Sequence, residues 1–248
     1  MGVKPIFLIS LFVITLYDTD LASVKCRNLE SVSFQVGSIK GVELKSGEGL
    51  KSISGVGLGV FLRYKLGGEY KVSFLYDYSD LGVRQEDALS KWGWGFWDKF
   101  YGKYVDDLLT QDSVYAAEFS PVQRLYINSV YLMLEREFKT GLRFNLFLRM
   151  GCGIHVFQRS LVLKEHWFKH YPQIDYTFDF TFRNHAEPKK GIVGGFSIGS
   201  GIQTYILDPL SLEIGIDWSR IVPQAGRNFR GFPMRAFCKF FMVLSFYY

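Results

Sequence analysis

Two-residue alternation, sustained over ten or more residues and repeated along the chain, constrains this sequence more than any other feature. The closing stretch MRAFCKFFMVLSFYY (residues 234–248) shows it plainly. Met234, Ala236, Cys238, Phe240, Met242, Leu244, Phe246 and Tyr248 share one register, and Arg235, Lys239 and Ser245 fall in the other. Residues 210–218 set Leu210, Leu212, Ile214, Ile216 and Trp218 against Ser211, Glu213, Gly215 and Asp217. Residues 142–156 set Leu142, Phe144, Leu146, Leu148, Met150, Cys152, Ile154 and Val156 against Arg143, Asn145, Arg149, two glycines and His155. The same division runs through 52–66, with Arg63 and Lys65 on the polar side, and through 69–78, with Glu69, Lys71 and Asp77 there. Residues 190–206, 124–138 and 32–44 follow it more loosely; Lys40 and Asn128 fall on the apolar side. A period of two is a strand with two unlike faces.

The connections sort into two kinds. Gly67-Gly68, Lys139-Thr140-Gly141 and Leu207-Asp208-Pro209 have the composition of tight turns. Between those hairpins lie the long polar stretches 79–121 and 159–187, with shorter ones at 45–51 and 219–233. Long strands joined alternately by short turns and long loops predict an all-β fold: an eight-stranded antiparallel up-and-down transmembrane barrel with long extracellular loops. Eight strands enclose a lumen that side chains can fill. A soluble lipocalin-like barrel would show the same alternation turned inside out. Three features favour the membrane form: the glycines on the charged face, which suit a crowded lumen; the segregation of long and short connections; and aromatics at strand ends on the apolar face, including Tyr64, Tyr76, Tyr78, Trp218, Phe246 and Tyr248. The closing strand is then expected to pair with the first, because an open edge in hydrocarbon leaves backbone groups unpaired.

The amino end reads as an export signal. Lys4 precedes the apolar run PIFLISLFVITLY (5–17), and the small residues Ala22 and Ser23 follow. That run is too short to span a bilayer as a helix, which needs roughly 20 residues. The expected division is a secretory signal over 1–23 and a barrel domain over 24–248. Loss of Lys4, Asp18 and Asp20 with the signal would move the net charge from +5 to +6. That charge is spread along the chain, which argues against nucleic acid as a partner. Cys26, Cys152 and Cys238 are odd in number and widely spaced, so they give neither a disulfide framework nor a metal-type spacing.

The segment LYINSVYLMLEREFKTGLRFNLFLRMGCGIHVF (125–157) resembles the hairpin of small outer-membrane β-barrel proteins, and the terminal FMVLSFYY resembles their aromatic-ended last strand. The architecture is similar to that of the OmpX type, and the hairpin looks most like the PorT-like barrels of Bacteroidetes. The resemblance covers residues 31–248 in architecture. It implies a place in the bacterial outer membrane, contact with its lipids and lipopolysaccharide, and recognition of the last strand by the barrel-insertion machinery. The final Tyr248 departs from the commoner Phe.

Catalytic signals are weak. GFSIG (195–199) fits G-x-S-x-G, but a nucleophile elbow needs a strand-to-helix turn and a later histidine, and no histidine follows His185. In GCGIHVFQRS (151–160) the position two after His155 is Phe157, not the serine of a barrel-borne deacylase, and His155 falls on the lumen side. His166 and His170 have an i, i+4 spacing that binds metal only on a helix. No catalytic residue, metal site or cofactor is expected.

Two groups of residues stand out instead. The lumen charges Arg63, Lys65, Lys71, Arg143, Arg149, Arg235 and Lys239 balance Glu43, Glu69, Asp77, Glu135, Glu137, Glu213 and Asp217, and are expected to pair into a plug. The loop SKWGWGFWDKFYGKYVDDLL (90–109) crowds Trp92, Trp94, Phe96, Trp97, Phe100, Tyr101 and Tyr104 into a segment placed outside the cell. Its charges fit an amphipathic helix across the mouth, with Trp97, Tyr101 and Tyr104 at helical spacing. Such a loop binds a protein partner through 79–121, anchors itself to the mouth and the lipid interface, or is a disordered segment. The expected function is a non-catalytic surface scaffold for partner binding or envelope integrity. The alternatives are a PorT-like accessory of a secretion machine and, on poorer grounds, a lipid-modifying barrel enzyme.

Overall fold

The computed structural model describes residues 29–45, 49–222 and 231–248; the expected signal and Cys26 lie outside them. The alternating segments form strands β1 (Leu29–Leu44), β2 (Leu50–Gly67), β3 (Tyr70–Gln85), β4 (Tyr115–Lys139) and β5 (Phe144–Tyr171), then β6 (Tyr176–His185), β7 (Lys189–Leu207), β8 (Leu210–Val222) and β9 (Met234–Tyr247). All neighbours pair antiparallel. β1 pairs with β2 on one side and β9 on the other, and the ring runs on through β3, β4, β5, β7 and β8 back to β9. Eight strands therefore close the barrel, with β9 against β1 from Ser31↔Tyr247 to Leu44↔Met234. No described wall strand is left with an open edge.

The ninth strand, β6, stands outside the ring. β5 is long enough to serve two neighbours: its first half, from Phe144 to Arg159, pairs with β7, and its last ten residues pair with β6. β4 follows β5 from Lys139↔Asn145 to Tyr115↔Lys169 without a register break. The wall thus continues past the rim as a three-stranded sheet. Short helices at Ala88–Trp92 and Gly102–Gln111, the second entered through a π-helical turn at Trp97–Tyr101, lie between β3 and β4. The stretches 79–121 and 159–187, expected as polar loops, are for the most part this superstructure.

The tight turns, the start of β1 at Leu29 and the end of β9 at Tyr247 sit at the opposite rim. Gly67 and Gly68 take φ of 140° and 60°, and Gly141 takes 73°, angles that only glycine adopts without strain. Inside, Gly201 and Gly215 face each other. A methyl on either would meet the ring of Phe147 or Phe241 at 2.6 or 2.7 Å, so the narrow lumen excludes larger residues there.

Burial assigns the faces. Leu146, Leu148, Met150, Cys152, Ile154 and Val156 of β5 point out and are exposed, as are Val56, Leu58, Phe74, Leu132, Ile198 and Ile214 on neighbouring strands. Gln158, Ser160, Lys164 and His166 continue the outward face of β5 above that band. Residues 146–156 rise about 33 Å along the strand, which at a tilt near 40° covers about 25 Å of bilayer. On β4 the outward charges bracket the same band: Arg136 reaches Glu69 at 3.7 Å on the turn side, and Arg124 reaches Asp80 at 3.1 Å on the loop side. Between them Asn128, polar on an apolar face, accepts from the Tyr76 hydroxyl at 2.8 Å. An apolar belt of bilayer height around a charged interior is the inverse of a soluble barrel.

Candidate functional site

The lumen is built in tiers. Next to the turn rim, Lys71 Nζ contacts Glu137 at 2.9 Å and Glu30 at 3.2 Å, and the Asn145 amide donates to Glu137 at 2.5 Å. Above it Arg63, fully buried, donates twice to Glu213, at 2.5 and 2.7 Å. The same guanidinium donates to Ser33 and Ser245, and its Nε lies 3.5 Å from Glu135. Arg149 donates to both oxygens of Asp217, at 2.8 and 2.5 Å, with its plane 4.0 Å from the Phe241 ring centre. Lys239 pairs with Asp77 and donates to Gln35 at 2.9 Å. A cavity of about 10 Å³ between Asp77, Tyr131, Ser197, Asp217 and Lys239 has room for one water at most.

Nine of the fourteen charges assigned to the lumen from sequence meet there: Arg63, Lys71, Asp77, Glu135, Glu137, Arg149, Glu213, Asp217 and Lys239. The other five do not. Lys65 and Glu69 have passed the rim beside the Gly67-Gly68 turn and are exposed. Arg143 lies in the turn before β5 begins. Arg235 points outward and reaches Glu43 at 3.6 Å, both half exposed. Its inversion has a local cause: the β1–β9 register shifts between Gly41 and Leu44, so Met234, Ala236 and Phe237 are all buried and the alternation breaks.

Toward the loops the lumen turns apolar. Ile39, Ile53, Leu81, Leu125, Phe157, Val193, Ile221, Phe232 and Phe237 pack into one buried cluster across the barrel. His155 sits below it, its Nδ1 2.8 Å from Ser129 Oγ and its ring edge-on to Tyr131 and Phe237. It is fully buried, and among the described residues no carboxylate bonds to it. Ser197 donates to the Trp218 carbonyl from mid-strand, which is no nucleophile elbow. His166 and His170 lie on a strand, bound to Asp179 at 3.0 Å and Thr177 at 3.1 Å.

Above the apolar cluster lies a tier the sequence did not reveal. Arg159, buried, donates to Gln123 and Gln85 at 2.7 and 2.8 Å. Trp92 covers it at 5.2 Å and carries Lys189 on its ring at 4.6 Å. Trp92, Ala88, Leu161 and Ala186 close the mouth. Higher still, Glu165 is fully buried and, among the described residues, accepts from neutral donors: the Tyr101 hydroxyl at 2.8 Å, Trp167 Nε1 at 2.9 Å and the Asn184 amide at 2.5 Å. Burial first, then the bond to Glu165, pushes the Tyr101 hydroxyl well above the usual tyrosine range.

The aromatic segment divides in two. Trp92 is buried, and Trp97 and Tyr101 turn toward the sheet, where Trp97 meets Phe119 edge-on at 5.8 Å. Phe96, Phe100 and Tyr104 recur at i, i+4 on the other side and are exposed by 48, 68 and 60%. Trp94 lies between, stacked on Trp97. The segment both caps the mouth and presents an aromatic stripe.

No protein-family model matches this chain, and no curated protein matches it. Among solved structures it is similar to Neisserial surface protein A, with 11% identity, a TM-score of 0.45, and coverage of 88% of this chain and 97% of that one. It is also similar to a major outer membrane protein from Thermus thermophilus, with 11% identity, a TM-score of 0.44, and coverage of 88% and 99%. A third is Ail, the attachment invasion locus protein of Yersinia pestis, with 10% identity, a TM-score of 0.38, and coverage of 89% and 97%. Likenesses at this level say nothing of ligand or partner.

Proposed function

We propose that this chain is a non-catalytic bacterial outer-membrane barrel whose working part is the structure it holds above the membrane. The carrying observation is that the lumen is filled from end to end, by paired charges below and an apolar cluster above. A filled lumen leaves no passage for solute. What remains is the superstructure of β4, β5, β6 and the helices, which is far larger than the rim needs for closure. Its exposed Phe96, Phe100 and Tyr104 give a contact surface. The belt between Arg136 and Arg124 supports lipid contact around the wall, with lipopolysaccharide at the loop-side edge. The aromatic end of β9 supports recognition by the barrel-insertion machinery.

The test is to replace residues 92–104 with a Gly/Ser linker and recover partners from detergent-solubilised outer membrane. Normal barrel assembly with a protein lost from the recovered set supports the scaffold reading. Unchanged recovery and unchanged stability would refute it. The hairpin 125–157 is the one feature that favours an accessory role in secretion, and recovery of secretion components would select that role.

A further inference from the structure

β6 has a free edge. One side pairs with β5, and no other described strand pairs with the second. The strand, YTFDFTFRNH, is ten residues long and holds neither Pro nor Lys, the residues that most often blunt an edge. Its register fixes which backbone groups are free. The Ala186 amide donates to the Leu161 carbonyl at 3.0 Å, and the ladder is regular from there to Tyr176. In a regular antiparallel ladder the even-numbered residues of β6 therefore bond to β5. The amides and carbonyls of Thr177, Asp179, Thr181 and Arg183 point away from β5, and no described strand takes them.

We infer that this edge pairs with the same edge of a second copy of the chain, antiparallel and two-fold about Thr181. In that register Asp179 faces Arg183 of the copy twice over, and Phe180 faces Phe182. Thr181 faces itself. These three kinds of pair stabilise antiparallel strands, and the free backbone groups of Thr177, Asp179, Thr181 and Arg183 all bond. Two-fold registers centred on Asp179 or Arg183 would set like charges opposite each other. Within one copy, Arg183 lies across from Lys164 and has no ion pair among the described residues. Asp179 keeps its contact with His166 while its side chain stays 66% exposed. The charge pattern of this strand is complementary to its own reverse.

The pairing also fixes orientation. Neighbours in an antiparallel sheet are related by a two-fold axis perpendicular to it, and an isologous contact repeats itself by that operation. Because the β4–β5 ladder runs unbroken from wall to tip, the projecting sheet continues the wall. The axis then crosses the barrel axis and inverts it. The two copies stand in facing membranes and meet tip to tip. This rests on the bilayer reading above for its orientation, and on the strand alone for its pairing.

Single-copy nanodiscs sized by light scattering test both. Wild-type discs should form pairs. Asp179→Arg and Arg183→Asp should each lower the pair population by about tenfold or more, since two attractive contacts become two repulsive ones. An equimolar mixture of the two variants should restore pairs between unlike discs, which no misfolded protein would do. Wild-type discs that stay single, either variant pairing as well as wild type, or a mixture that stays single would each overturn the inference. The same proteins in detergent micelles report pairing without insertion. A chain that pairs in micelles but enters no disc would therefore refute the bilayer reading alone.

Discussion

Arg149 shows how a charge is held inside the wall. Its side chain is inaccessible, bonded at two points to Asp217 and covered by the Phe61, Phe147 and Phe241 rings. Truncation removes the guanidinium and leaves the Asp217 carboxylate buried. Arg149→Ala should therefore cost about 3–5 kcal/mol in reversible urea unfolding from micelles. Arg235→Ala, which breaks only the half-exposed pair with Glu43, should cost no more than about 1 kcal/mol. Equal costs would mean that the lumen pairs do not carry the barrel. Glu165 is a different case, a buried carboxylate with three neutral donors. Tyr101 must stay protonated to donate to it, and its pKa is raised. A raised value makes this contribution complete below the ordinary tyrosine pKa of about 10, and loses it as the pH climbs toward the folded value. Proteolysis within 97–111 should stay constant through neutral pH and increase only in strong alkali. Glu165→Ala should expose the same segment at pH 7 and leave the barrel intact.

Element by element, alternation placed all eight wall strands, because burial on one side and lipid on the other imposes a two-residue period that Arg63, Lys71 and Glu213 obey. It could not place Arg235, since a register shift in β1 leaves no trace in the period of β9. Nor did it reach β6. There Tyr176, Phe178, Phe180 and Phe182 do alternate with Thr177, Asp179, Thr181 and Arg183, but neither face is lipid or lumen, so the strand reads as polar loop. Ending β5 near Val156 for the same reason hid Arg159 and Glu165. β5 offers the sharpest check of where the bilayer stops. Met150→Arg, in mid-belt, should cost on the order of 2–4 kcal/mol, and Ser160→Arg, on the same face above the belt, about 0–1 kcal/mol. Similar costs at both positions would dissolve the boundary drawn between Val156 and Gln158.

At the scale of the whole molecule, sequence located the aromatic segment at the mouth but not its division into a packed side and an exposed side. Whether Trp97 turns in and Phe100 out depends on Phe119, Trp167 and Glu165, which come from strands extended beyond their expected ends. The central claim joins these scales: side chains fill the barrel, so function lies above it. Single-channel recording of the purified protein in planar bilayers tests this most directly. Ion pairs from Lys71 to Lys239, capped by the cluster around Phe157 and Phe232, predict no steady conductance, only rare and small openings. Uniform, long-lived openings of porin size would contradict it.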